Sequence, residues 1–396
     1  MCYRLEAESW SDPSLLCYLS ILLAPRLYSA GMPETPAPRK KSSARFIDIA
    51  ALAQVSPATV NRVLNDRGSV STATREKVIR AAQQLAVPRL MPEVHRGLTR
   101  LDVVFARSQT PFFQRMELAL QRFMPLLDRR IVVHRHSFAP GDDEHTAQFI
   151  RQPPHPRHGL LLAVHDTPVL RGAVQHVSQQ GVPVVTLMSD ISDPNGRNSA
   201  LRLHYAGIDN LHAGRTAGHF MGRLAAKTPG NGGRLLVLTN DLHFRAHRDR
   251  TAGFLDVVHE KFRQFECGPA IPCFDDPDQT FQAVDAACKQ GPVAGIYHSG
   301  AASVGIHQAL QRHGCAGKVV WIGHELSDEH RRWLMQGAMD LVIDQDPDGQ
   351  VLSGMQHLLF QNKWLAQKPL TGPNEFRLFC AENLPSQPYL PGKDLL

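Results

Sequence analysis

Ser56, Pro57, Ala58, Thr59, Asn61 and Arg62 fall within seven consecutive positions, and their types suit one kind of chemistry. Hydroxyl, amide and guanidinium groups presented along one short helix can hydrogen-bond base edges and phosphates in a DNA major groove. Pro57 and Ala58 are small, which leaves Thr59 and Asn61 near the groove and Arg62 best placed for a guanine or a phosphate. Asn65 closes the stretch and joins this DNA-facing set. No catalytic pattern competes with it: the chain has no GxSxG, no Walker loop, no GxGxxG and no acid pair at useful spacing, so no enzyme is expected. The seven cysteines show no CxxC and no zinc-finger spacing, which suggests reduced thiols in a cytoplasm, with a Cys267–Cys273 pair as the minor alternative. His134 and His136 share one face of an expected strand, but two ligands alone make a weak metal case, and they read as structural or surface residues. No metal or cofactor is expected.

The elements that must hold the DNA-facing residues are three short helices. Ile47, Ala50, Ala51 and Leu52 give the first an apolar face, and Gln54 and Val55 make a break. Ser56 is an N-cap with Pro57 at the first helical position, where a missing N–H costs nothing. Val60, Val63 and Leu64 line the second helix, and Asn65-Asp66-Arg67-Gly68 ends it with turn-forming residues. Ser71 caps a third helix with the stripe Val78, Ala81, Ala82 and Leu85. Two short helices in tight sequence are what a helix-turn-helix needs. Charge agrees. The chain carries a net +6, but residues 39–100 alone hold 12 Lys/Arg against 4 Asp/Glu, while residues 101–396 hold 29 of each. A basic head meets phosphates and releases counterions.

The strings DIA, VSPATVNRVLN and VSTATREKVIRAAQQL resemble the LacI/GalR family of bacterial transcriptional regulators in length, order and turn position. In relatives the segment after such a head is a hinge that folds on operator DNA and pushes a leucine into the minor groove. The resemblance makes Leu98 the candidate wedge. Pro88 and Pro92 are both present and the family's Asn-Tyr-x-Pro-Asn is missing, so a plain flexible linker is the alternative. The expected organisation is an N-terminal extension at 1–44, disordered or arising from an upstream start with Met32 as the true one; a helix-turn-helix domain at 45–87; a hinge or linker at 88–100; and an effector-binding and dimerisation domain at 101–396. No stretch reaches membrane-span length, and Leu15–Pro25, preceded by Glu6, Glu8 and Asp12, makes a poor secretory signal.

From residue 101 onward apolar strands alternate with helical stretches. Strands are expected at Leu101–Ala106, Ile131–His136, Gly159–Val164, Val182–Leu187, Arg234–Thr239, Gly295–His298 and Val319–Gly323, with helices such as Phe113–Phe123 and Gly214–Leu224 between them. That density means parallel sheets covered on both faces, and the length suits two doubly wound lobes. The family resemblance continues here and implies a periplasmic-binding-protein-like effector domain, its lobes joined by three crossovers. Such sheets bind ligands just beyond the carboxyl ends of their strands.

At those ends the resemblance supplies candidates. Phe112 and Phe113 are similar to the Asn-Pro-Phe-Phe of ribose-type binders, one expected in the core and Phe112 facing the ligand. Asp190 stands near a sugar-accepting aspartate, and Asn210 reads either as a site residue or as a helix cap. Arg250 is the second arginine of an Arg-x-Arg-x-x-Gly-(Phe/Trp) pattern and can fork onto two adjacent hydroxyls. Ser299 stands where relatives carry Asn-Asp, Glu325 where they carry aspartate, and Gln345 at a Gln-Asp-Pro-like crossover. This set suits a neutral polyhydroxy compound more than a phosphorylated one. The resemblance thus implies a cytoplasmic homodimeric regulator, in reading a repressor, of double-stranded operator DNA controlled by a small sugar or polyol. The alternative within regulation is a corepressor or partner protein in place of an inducing sugar. A sugar receptor without a DNA role would have a cleavable signal and no basic head.

Overall fold

The computed structural model describes residues 46–64, 70–85, 97–191, 203–227, 232–369 and 373–390. They fall into two compact units, divided between His95 and Arg96.

The first unit is helical. Helices α1 (Phe46–Ala53), α2 (Pro57–Leu64) and α3 (Thr72–Gln84) pack around Ile49, Ala50, Ala53, Val60, Val63, Leu64, Val78, Ile79, Ala81 and Ala82. The expected apolar face of α1 is corrected in part. Ile49, Ala50 and Ala53 point inward, whereas Ala51 is exposed, Ile47 65% exposed and Leu52 47% exposed. At about 100° per residue the buried arc runs from Ile49 through Ala53 to Ala50, and Leu52 falls beyond its edge on the Ile49 side. Ser56 caps α2 by accepting from the Thr59 N–H at 3.1 Å, and Ser71 caps α3 through the Thr74 N–H at 3.3 Å.

The second unit is α/β with two sheets. The first joins β1 (Thr99–Ala106), β2 (Ile131–Phe138), β3 (Gly159–Ala163), β4 (Val184–Leu187) and β5 (Leu203–Ala206) in the order β2-β1-β3-β4-β5, every pair parallel. Between its strands run α4 (Pro111–Phe123), α5 (Asp143–Arg151) and α6 (Pro168–Gln179). Strand β3 reads Gly-Leu-Leu-Leu-Ala and is buried throughout, as a parallel strand covered on both faces must be.

The second sheet begins after α7 (Asn210–Ala225) with β6 (Gly233–Thr239), followed by α8 (Arg245–Lys261), β7 (Phe265–Cys267) and β8 (Ile271–Pro272). Then come α9 (Pro277–Gln290), β9 (Val293–His298), α10 (Ser303–Arg312), β10 (Val320–His324), α11 (Asp328–Met335) and β11 (Leu341–Asp344). Helix α12 (Pro347–Gln361) returns to pack on α4 and on β3, β4 and β5 of the first sheet. The chain then crosses back to β12 (Arg377–Phe379), the antiparallel edge beside β11. The order is β12-β11-β10-β9-β6-β7, with β8 also against β6. The chain therefore passes between lobes three times, before α7, before α12 and before β12. The seven expected strands are present. Strands β5, β7, β8, β11 and β12 are additional, all of four residues or fewer.

Candidate functional site

In the head, α2 turns Val60, Val63 and Leu64 into the core, which leaves Pro57, Ala58, Asn61 and Arg62 exposed and Thr59 half-buried. Ser56 is exposed at the helix start, its hydroxyl shared between the Thr59 N–H and the Thr59 hydroxyl at 2.9 Å. The polar residues singled out by type thus occupy the outward face of one helix. Asn65 lies outside the described residues. So does most of the hinge segment; Leu98, just before β1, is 48% exposed.

The larger candidate site is a cleft between the two lobes of the α/β unit, with an empty volume of about 670 Å³. One wall is aromatic. Phe112 and Phe113, in the first turn of α4, meet edge to face at 5.8 Å, and Phe113 also packs on Phe105 of β1 at 6.3 Å. Both rings line the cleft, so the expected division into one core ring and one site ring does not hold. The opposite wall is polar and carries Arg250, Ser299, Glu325 and Gln345. Asp190 does not join them. Its carboxylate is tied to the Thr186 hydroxyl at 3.0 Å, the Ile191 N–H at 2.9 Å and Arg245 at 3.5 Å, while Met188, with φ 61°, supplies that stretch of wall.

Arg250 is the hub. It is only 2% exposed, and its guanidinium donates to Asn210 Oδ1 at 2.7 Å, to the Ser299 carbonyl at 3.1 Å and to Gln345 Oε1. Gln345 in turn donates to Glu325, which also accepts from the Tyr389 hydroxyl at 3.2 Å. Burial lowers the Arg250 pKa from its ordinary value and outweighs the opposing pull of Tyr297, Glu325 and Asp249. Asn210 is not the helix cap. Asp209 caps α7 through the His212 N–H, and Asn210 turns inward, donating to the Met188 carbonyl and the Tyr205 hydroxyl while it holds Arg250. The glycine of the Arg-x-Arg-x-x-Gly-Phe pattern has a matching reason. A Cβ on Gly253 would stand 2.2 Å from the Leu211 carbonyl oxygen, and one on Gly214 would stand 2.0 Å from that of Arg250. Helices α7 and α8 touch through backbone there, and that contact sets the depth of Arg250.

Sequence reasoning missed the histidines of the cleft. His247, His324 and His330 line it, and burial lowers all three, His330 to about 4 and the other two well below the ordinary value. At neutral pH they are uncharged donors and acceptors. Asp275 was missed as well. Burial raises its carboxyl to about 6, and it accepts from the Asn240 amide and the Ala301 N–H, both at 2.7 Å. His247, Asp275 and the His324–His330 segment are far apart in sequence, so no single spacing announced the set.

A polar clasp links the lobes beside the cleft. The buried Asp166 carboxylate, after β3, accepts from Arg171 at 2.6 Å and from Arg248 of α8 at 2.5 Å, and the Asp166 N–H donates to the His243 carbonyl at 2.9 Å. Arg248 is the first arginine of the pattern that contains Arg250, so one short motif provides both a lobe clasp and a cleft donor.

Burial also pushes the Glu325 carboxyl up to about 8, helped by the nearby Asp344. The folded chain therefore keeps a proton that an unfolded glutamate has released above its ordinary value of 4.5. This contribution to stability is full below that value and is lost as pH rises through about 8. Asp275 acts in the same direction over a lower range, ending near 6. Glu325→Gln is expected to flatten this profile, seen as urea midpoints that fall less between about pH 5 and 8 than those of the native chain. Identical profiles would contradict the protonated carboxyl.

Among the described residues no helix is long and apolar enough to cross a membrane. The described cysteines, Cys267, Cys273, Cys288, Cys315 and Cys380, carry free thiols.

Comparison with known proteins follows the same division. Residues 102–359 match the family model for the periplasmic binding protein domain, and residues 46–86 match that for bacterial regulatory proteins of the lacI family. The sucrose operon repressor of Pediococcus pentosaceus is 26% identical over 200 residues, 47% of this chain and 57% of the relative. An uncharacterized HTH-type transcriptional regulator from the aml 5' region of Streptomyces limosus is 29% identical over 239 residues, 57% of this chain and 61% of the relative. The chain thus spans about six-tenths of the length of these curated relatives. Among solved structures, an ABC transporter solute binding protein from Agrobacterium vitis with bound D-fucose superposes with a TM-score of 0.63 at 16% identity, over 72% of this chain and 96% of that one. A glucose-galactose binding protein from Geobacillus stearothermophilus gives 0.61 at 17% identity, over 73% and 100%. At that identity the likeness establishes the fold. The chain belongs to the periplasmic binding protein domain family, in the form that carries a lacI-family regulatory head.

Proposed function

We propose that the chain is a sequence-specific transcriptional repressor whose operator affinity is set by a small, uncharged sugar or polyol held between its lobes. The observation that carries this reading is the union in one chain of a basic lacI-type head, with Asn61 and Arg62 outward on α2, and a cleft that faces Arg250 with two phenylalanine rings. Aromatic plates and forked donors suit a polyhydroxylated ring. One arginine faces Asp275, Glu325 and Glu329, which disfavours a phosphorylated ligand. The sucrose operon repressor and the sugar-bound solute binding proteins support the same class.

The head is assigned to residues 45–87 and the linker to 88–100, with 101–396 binding effector and forming a homodimer. Two heads on two half-sites follow a two-fold axis, which is why a dimer is proposed. Action on operator DNA places the protein in the cytoplasm. Ligand and DNA are then linked: a sugar that weakens operator binding must itself bind more weakly to the DNA-bound dimer, by the same factor.

The head is tested by operator titration at several salt concentrations. Arg62→Ala is expected to weaken binding by about 1–3 kcal/mol, roughly 5- to 150-fold, and, if Arg62 contacts a phosphate, to reduce the salt slope by about one. Unchanged affinity and slope would remove Arg62 from the interface.

A further inference from the structure

We propose that Asp102, His134 and His155 form a binding site for a divalent transition-metal cation of the zinc class, in the first sheet and apart from the ligand cleft. In sequence His134 and His136 were only a pair. The fold adds what they lacked. Strand register sets Asp102 of β1 directly beside His134 of β2, and the segment after α5 brings His155 over the same face. One donor atom from each of Asp102, His134 and His155 lies within 4.8 Å of the other two. The His134 and His155 rings are 4.1 Å apart, and His155 Nε2 is 3.0 Å from Asp102 Oδ1. Tetrahedral ligation at about 2.1 Å sets donor atoms roughly 3.4 Å apart, so the side chains would draw inward on binding an ion.

A plain buried ion network explains only part of this. Asp102 is fully buried, and its Oδ2 takes the Arg157 Nε–H at 2.5 Å. That guanidinium is itself fixed by the carbonyls of Ile150 at 2.8 Å and Phe149 at 3.3 Å. Arg157 therefore orients the carboxylate and leaves Oδ1 turned to the histidines, the arrangement that outer-shell partners give a metal ligand. Two atoms remain unexplained. His134 Nε2 and His136 Nε2 are both buried without a hydrogen-bond partner among the described residues, whereas such atoms are nearly always partnered. A cation held by Nε2 would satisfy His134. His136 Nε2, 3.9 Å from Asp102 Oδ1, stands where a fourth donor could approach.

Two imidazoles and a carboxylate are a borderline donor set, suited to zinc or cobalt and poorly suited to magnesium or calcium. Sharing one carboxylate with Arg157 weakens the site, so binding in the micromolar range is expected. The ion would clip the edge strand β2 and the α5–β3 connection to β1, and would stabilise the chain in proportion to its occupancy.

The test uses the full chain, stripped with chelator and titrated with Zn²⁺ by calorimetry, then with Co²⁺ followed by absorption. One equivalent of zinc is expected at this site, with affinity reduced at least tenfold in His134→Gln and His155→Gln variants whose circular dichroism is native. His155→Cys, where its circular dichroism is native and the native cysteines stay folded away, supplies a positive readout: a thiolate-to-cobalt charge-transfer band absent from the native chain. No zinc uptake, uptake undiminished in His155→Gln, or a His155→Cys cobalt spectrum identical to the native one would each overturn the proposal.

Discussion

Arg250→Ala is expected to abolish the effector response of operator binding while leaving sugar-free operator affinity close to native. The side chain organises the polar wall of the cleft through Asn210, the Ser299 carbonyl and Gln345. Its removal leaves three buried acceptors without their donor, at about 1–3 kcal/mol for each one that finds no substitute. Relief of a desolvated cation offsets part of that loss, so a net destabilisation on the order of 3 kcal/mol is expected. Ligand affinity should fall on the order of 100-fold, equivalent to about 2.7 kcal/mol. Arg250→Lys separates the two effects. It keeps the charge and loses the planar fork, so it should recover part of the stability and little of the affinity. Lysine binding the sugar as well as arginine would contradict the forked contact.

The second large effect is steric. Gly253→Ala and Gly214→Ala each drive a methyl group into a backbone carbonyl on the facing helix, at 2.2 and 2.0 Å, and a carbonyl within a helix cannot step aside as a side chain can. Overpacking of this kind costs about 1–3 kcal/mol, occasionally more. Gly218→Ala should cost less, because its nearest contact would be 2.8 Å. Urea midpoints should place Gly218→Ala nearest the native chain. Sugar affinity should fall with Gly214→Ala and Gly253→Ala, since the former displaces the Arg250 backbone and the latter presses on Leu211 beside Asn210. Midpoints equal across the three variants would show that α7 and α8 separate freely, and would sever the link between helix spacing and the depth of Arg250.

Most of the architecture was readable because its signals are local. Gly-Leu-Leu-Leu-Ala, preceded by Pro156 and too short for a helix, suits a strand covered on both faces, and Ser56-Pro57 suits a helix start. The strands that escaped notice, such as β5 and β11, have four residues each, too few to establish a period. On α1, Ile47 and Leu52 looked like core because they are apolar, yet the register that buries Ile49 turns both outward.

The site was readable wherever one short motif carried it. Arg250, Phe112 and Gln345 stand in recognisable strings and do line the cleft. Asp190 stood beside the right strand, but the left-handed backbone at Met188 turns the chain so that its carboxylate meets Thr186 and Arg245. His247, Asp275, His324 and His330 meet because the second sheet sets the ends of β6, β8, β9 and β10, distant in sequence, side by side. No pattern along the chain encodes that meeting.

The most direct test is an operator titration by fluorescence anisotropy at fixed salt, with and without a panel of pentoses, hexoses and polyols, on the native chain and on Arg250→Lys. Release of operator by one neutral sugar from the native protein, with little release from Arg250→Lys, is the predicted result. Operator binding that no sugar alters, or release that is equally strong in Arg250→Lys, would contradict a sugar-controlled repressor built around Arg250.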